Sequence, residues 1–160
     1  MKRTLYNQLL QWKGKNDRKP LILNGARQVG KTYLLQEFGR NEYEKVAFFS
    51  LDRNPMAATV FEQGGSVADI LLSLSAISNV DITPGNTLVV LDEVQDCPKA
   101  LETLKYFCED APEYHVVVAG SLLGLSLHDG VSYPVGKVEE LRLYPMTFIE
   151  FLQAIDKVRL

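Results

Sequence analysis

Eight consecutive residues constrain this chain more than any others: Gly25-Ala-Arg-Gln-Val-Gly30-Lys31-Thr32, which fit G-x-x-x-x-G-K-[ST] at every fixed position. Leu21-Ile-Leu23 precedes them, an apolar run opened by Pro20 that is too short for a helix and reads as a buried strand. Leu34, Leu35 and Phe38 come next as a helical stripe, which the pattern ends at Gly39. Strand, glycine loop and helix in that order make a cradle for an anion. The loop must turn back on itself to aim successive backbone N–H groups at one point, and its two glycines permit the dihedrals. The helix that starts near Lys31 adds its positive dipole end. In such a loop the lysine reaches the β- and γ-phosphates of a nucleotide and the hydroxyl ligates Mg²⁺. Gly25, Ala26, Arg27, Gln28, Val29, Gly30, Lys31, Thr32 and Tyr33 are therefore the candidate phosphate-binding residues. A glycine turn with an incidental lysine is the plainer alternative, and it leaves the strand–loop–helix context unexplained.

The rest of the chain alternates in the same way. Leu5, Leu9 and Trp12 predict a short N-terminal helix over 4–13, with a polar, basic loop after it at 13–19 that reads first as a solvated connector. Val46–Leu51, Leu88–Leu91, Val116–Ala119 and Val138–Leu143 are further strand candidates. Between them lie helical patterns: Pro55 to about Gln63, a helix N-capped by Ser66 with Val67, Ile70, Leu71, Leu74 and Ile77 on its face, and one from Pro98 with Leu101, Leu104, Phe107 and Cys108. Thr147 caps a last pattern with Phe148, Phe151, Leu152 and Ile155. Alternating strands and helices imply an α/β fold, a parallel sheet with helices on both faces. The 160 residues suit one domain, 1–160, and the wide apolar face of the last helix suggests that it continues into a longer protein.

Leu88-Val-Val-Leu-Asp92-Glu93 supplies the second half of a site. An aspartate at the carboxyl end of a buried strand can hold the Mg²⁺ hydration shell across from the phosphate loop. A glutamate directly after it is placed to orient or deprotonate an attacking water, which favours hydrolysis over phosphoryl transfer to a small acceptor. Both acids could also be simple polar residues ending a strand. Arg53, Lys137 and Arg142 are each candidates to stabilise the transferring phosphate, and the sequence does not choose among them. His115 and His128 have no metal-spaced neighbours and read as structural, and Asp96 as a turn residue.

Composition narrows the setting. A net charge of −3 with 23% charged residues gives no global reason for a nucleic-acid or membrane surface, though a local patch stays open. No apolar run approaches the roughly 18 residues of a membrane span. Cys97 and Cys108 fall in no metal-ligand spacing, and a helix between them would hold them about 16 Å apart, beyond disulfide reach. The cytoplasm is the default location. A GTPase of the usual kind carries an Asn/Thr-Lys-x-Asp tetrapeptide, and none occurs here.

Four segments together carry a resemblance: 21–32 and 90–95, then Val-Ala-Gly-Ser at 118–121 and Val-Gly-Lys-Val-Glu-Glu-Leu-Arg-Leu-Tyr-Pro-Met-Thr-Phe-Ile-Glu-Phe-Leu at 135–152. The chain resembles the prokaryotic AAA-like P-loop ATPases of the archaeal-ATPase and signal-transduction ATPase neighbourhood, over nearly its whole length. The resemblance implies an ASCE-type P-loop NTPase three-layer sandwich with a five-stranded parallel sheet in the order 5-1-4-3-2. It also implies ATP with Mg²⁺ as ligands, and Glu93 as the water-activating residue. In that order the strand before Ser121 lies between the other two functional strands, so Ser121 would face the γ-phosphate; capping a short helix after it is an equal alternative. Such proteins continue into a C-terminal region that this chain would lack, and groups completing the site could come from there or from a neighbouring copy in a homo-oligomer. The expected function is an ATPase that drives or switches an attached module. The alternatives are a nucleotide-gated binding module with little turnover, or the ATPase part of a nucleic-acid-processing protein. The segment expected to read the adenine is the N-terminal helix with the 13–19 loop.

Overall fold

Uninterrupted apolar runs in this chain become strands covered on both faces. Leu21–Gly25 (β1), Thr87–Asp92 (β3) and His115–Gly120 (β4) are buried at every position, as runs without polar alternation require. The computed structural model describes residues 4–25, 30–121 and 136–143. The other elements within them are Thr4–Lys13 (α1), Lys31–Glu42 (α2), Lys45–Ser50 (β2), Pro55–Gln63 (α3), Val67–Ser78 (α4), Pro98–Asp110 (α5) and Glu139–Leu143 (β5). A single 3-10 turn, Val94–Asp96, comes directly after β3 and Glu93. The expected helix after Thr147 lies outside the described residues, as does His128.

The five strands are parallel in the order β2-β3-β4-β1-β5, which is the order expected from the resemblance. The period of two then divides each central strand between two cores. Ile22, Val89, Leu91, Val116 and Val118 face one way, with Phe61, Leu74, Leu101, Leu104 and Phe107 from α3, α4 and α5. Leu21, Leu23, Leu88, Val90, Val117 and Ala119 face the other, with Leu9 and Trp12 of α1 and Leu35 and Phe38 of α2. Each Val, Leu, Ile or Phe among them contributes about 1.5–3 kcal/mol by leaving water. Local signals set the helix starts. The Asn54 side chain accepts from the Ala57 N–H at 3.1 Å, ahead of Pro55, and Ser66 Oγ accepts from the Asp69 N–H at 3.1 Å.

Two expectations are corrected. The α2 helix does not stop at Gly39 but runs on to Glu42. Gly39 is there because the helix packs closely on the sheet: a β-carbon at this position would lie 2.5 Å from Val46 Cγ2. The second correction concerns the 13–19 loop. It does not adjoin the phosphate loop, because it enters β1 at the amino end while the phosphate loop leaves from the carboxyl end. Lys15 pairs with Glu139, the first residue of β5, which lies beside Leu21 in the sheet. Five strand residues at ~3.3 Å each separate the two loops by about 17 Å. The loop is solvated as expected, exposed over 14–17, and tied down at its ends: Trp12 Nε1 donates to the Lys19 carbonyl at 2.7 Å, Arg18 to the Lys13 carbonyl at 2.9 Å, and Lys13 to the Glu42 carbonyl at 2.8 Å.

Candidate functional site

The carboxyl ends of β1, β3 and β4 meet in the middle of the sheet, and the chain leaves each of them carrying a candidate residue. After β1 the backbone reaches Gly30, whose φ of 92° lies in the left-handed region that favours glycine. Gly30 is also the N-cap of α2 and brings no side chain to cap it, and the first turn of α2 holds no acid. The helix start thus presents N–H groups and a positive dipole end to whatever anion approaches. Ala26, Arg27, Gln28 and Val29 lie outside the described residues. Tyr33, on the outer side of α2, is exposed.

Lys31 and Thr32 sit in the first turn of α2 and reach the ends of different strands. Lys31 is only 7% exposed, and its ammonium donates to the Gly25 carbonyl at 2.5 Å, tying the start of α2 to the end of β1. Thr32 Oγ1 donates to Asp92 Oδ2 at 2.8 Å, joining α2 to the tip of β3. Asp92, 5% exposed, accepts a second bond at Oδ1 from the Glu93 N–H at 3.0 Å. Burial pushes the Asp92 carboxyl above the usual carboxylate range. The Thr32 and Glu93 donors and the Lys31 charge oppose that push, while the Glu93 charge adds to it. Lys31, Thr32, Asp92 and Glu93, far apart in sequence, are therefore one cluster. Ser121 stands just past the end of β4, half-buried, and β4 lies between β1 and β3 as expected. The short helix that Ser121 would cap falls in 122–135, outside the described residues.

A sequence model described as an AAA domain matches residues 17–152. This chain belongs to the AAA domain family. Among solved structures, the AAA domain is similar to a chain of Drosophila ORC bound to DNA, with 14% identity over 93% of this chain and a TM-score of 0.60. It is similar too to the Aeropyrum pernix ORC1 protein in complex with DNA, with 19% identity over 96% of this chain and a TM-score of 0.53. It spans 44% and 46% of the lengths of those two chains, so the likeness is one of fold. No curated protein matches it.

Strand direction also sorts the three basic candidates in this AAA domain. Arg53 lies past the carboxyl end of β2, and Arg142 lies beside Asn24 near the carboxyl end of β5, both on the side of the cluster. Lys137 precedes β5 and pairs with Glu109, near the end of α5, at 3.4 Å. That puts it at the amino end of the sheet, away from Lys31 and Asp92. Among the described residues no group of three or more His, Cys, Asp or Glu could hold a metal, which leaves a single carboxylate with a hydroxyl as the candidate metal pair.

One residue of the cluster has no role that the sequence pattern assigns. Gln95, 7% exposed, donates from Nε2 to the Glu93 carboxylate. Glu93 itself has φ 56° and ψ 47°, left-handed backbone for a residue with a β-carbon. An amide two residues beyond a carboxylate is a weak signal. Only the left-handed turn at Glu93 brings the two side chains together.

Proposed function

We propose that this AAA domain binds ATP with Mg²⁺ at the Lys31–Thr32–Asp92 cluster and hydrolyses it with Glu93 as the base that orients the attacking water. The observation that carries this reading is the hydrogen bond between Thr32 Oγ1 and Asp92 Oδ2, because it puts a hydroxyl of the helix start and a carboxylate of the β3 tip side by side. Hard oxygen donors of this kind suit Mg²⁺, which prefers one or two protein ligands and keeps several waters. Thr32 and Asp92 would hold it, and it would neutralise charge on the β- and γ-phosphates. Lys31 would exchange its bond to the Gly25 carbonyl for one to phosphate. The uncapped start of α2 would take the phosphate oxygens, as helix starts do. Ser121, at the β4 tip, would face the γ-phosphate.

In this account the domain drives or switches an attached module. The stabilising cation for transfer would come from Arg53 or Arg142, from the C-terminal region, or from a neighbouring copy. A nucleic-acid role is the weaker reading. The two similar chains are described as bound to DNA, yet here Lys13, Lys15 and Arg18 are engaged with carbonyls and a carboxylate, and the net charge is −3. The test of the enzymatic reading is Glu93→Gln. It should leave Mg·ATP binding intact and abolish hydrolysis; undiminished hydrolysis would remove Glu93 from its assigned role.

A further inference from the structure

The side chain of Gln95 is packed where a mobile polar residue has no reason to be. It stands on the 3-10 turn after β3, 7% exposed, between the Glu93 carboxylate and the end of β4. A carboxylate oxygen accepts, so the Gln95 NH₂ turns to Glu93 and its carbonyl oxygen turns away. That oxygen, Oε1, is buried without a hydrogen-bond partner among the described residues. Burying an unpaired polar atom costs roughly 1–3 kcal/mol, so an apolar residue of the same shape would be more stable here. The neighbour that Oε1 faces is Gly120, where a β-carbon would lie 2.7 Å from it and 2.9 Å from Val94 Cγ1. A side chain at 120 would therefore push the Gln95 amide and the Val94 methyl out of place, and the residue after that glycine is Ser121. Glu93 is meanwhile held in left-handed backbone, its own N–H bonded to Asp92. Strained backbone, an orphaned acceptor and a close glycine contact converge on one side chain.

We propose that Gln95 is the positioning residue for Glu93: clamped between that carboxylate and the Gly120-Ser121 tip of β4, it fixes the direction in which Glu93 faces the site. The inference rests on the ATP-hydrolysing reading above and adds a residue that acts through Glu93. Nε2 engages Glu93 Oε2 and leaves the other carboxylate oxygen for the attacking water. Oε1, facing β4, is an acceptor for a donor arriving at the tip, such as the Ser121 hydroxyl.

The experiment compares the chain as it stands with Gln95→Met, which keeps the volume and removes the donor, and Gln95→Glu, which keeps the shape and replaces the donor by an acceptor. Thermal unfolding first shows that each variant is folded. Calorimetry then gives the Kd for Mg·ATP, and single-turnover hydrolysis gives the rate of the chemical step. Both variants should keep the Kd of the parent and lose about tenfold to a hundredfold in rate, the range for groups that orient another side chain. Parental rates in both folded variants would overturn the assignment and leave the functional reading standing. A Kd that worsens in step with the rate would also overturn it, as a general disturbance of the site. Absence of ATP binding or hydrolysis in the parent would instead overturn the functional reading, and the role of Gln95 with it.

Discussion

Gly39→Ala sets two general effects against each other and lets the packing of α2 decide. In the middle of an exposed helix, alanine is better than glycine by about 1 kcal/mol. Here the added methyl would sit 2.5 Å from Val46 Cγ2 and 3.4 Å from Val46 Cγ1 and Leu88 Cδ2. Clearing the 2.5 Å contact requires that stiff, β-branched side chain to change rotamer or the helix to shift. Overpacking of this kind costs typically about 1–3 kcal/mol, which leaves a net loss of up to about 2 kcal/mol. For a chain of this size that corresponds to a Tm lowered by roughly 2–4 °C per kcal/mol. Urea unfolding monitored by the fluorescence of Trp12, the single tryptophan and a buried one, would measure it. The decisive comparison is Val46→Ala. With both methyls gone, Gly39→Ala should become stabilising by about 1 kcal/mol, its helix-propensity value. A more stable Gly39→Ala in the parent chain would refute the close packing of α2 on β2 and β3, and with it the reason given for a glycine inside this helix.

Two further predictions concern stability. His115 is 5% exposed, with Nδ1 2.6 Å from the Tyr43 hydroxyl and the Trp12 ring edge-on. Burial, with help from the Arg18 and Lys13 charges, pushes its imidazole down to about 4. The unfolded chain then takes up this proton near 6.5 while the folded chain does not, so stability falls as pH drops from about 7 to 4, by about 3 kcal/mol from this residue. In His115→Gln, which keeps an acceptor for Tyr43, urea unfolding should show a shallower loss over that window; an unchanged pH dependence would exclude a buried neutral His115. Ser66→Ala should cost α4 about 1 kcal/mol by removing the acceptor for the Asp69 N–H, whereas Ser66→Asp should keep most of it; equal stability of all three by thermal unfolding would mean the cap is idle.

Whether a feature is legible in the sequence depends on how local its cause is. The runs at 21–23, 88–91 and 116–119 are legible because a strand buried on both faces needs an unbroken apolar run, and the start of α2 at Lys31 because its cues lie within a few residues of it. The end of α2 is not, because a glycine after an apolar stripe ordinarily marks a helix end, and only the approach of Val46 explains one inside. The 13–19 loop invites placement beside the phosphates because it enters the same strand, yet strand direction alone puts it at the opposite end of β1. Gln95 and Lys137 cannot be assigned from neighbours in sequence. One depends on a left-handed turn at Glu93, the other on Glu109, which it meets only in the folded chain.

The central claim is that this AAA domain holds Mg·ATP at the cluster built by Lys31, Thr32 and Asp92. A calorimetric titration of Mg·ATP and Mg·GTP into the chain, beside Lys31→Ala, tests it most directly. The account predicts saturable binding of ATP in preference to GTP, abolished in Lys31→Ala. ATP binding left undiminished by Lys31→Ala, or no binding in either protein, would contradict it.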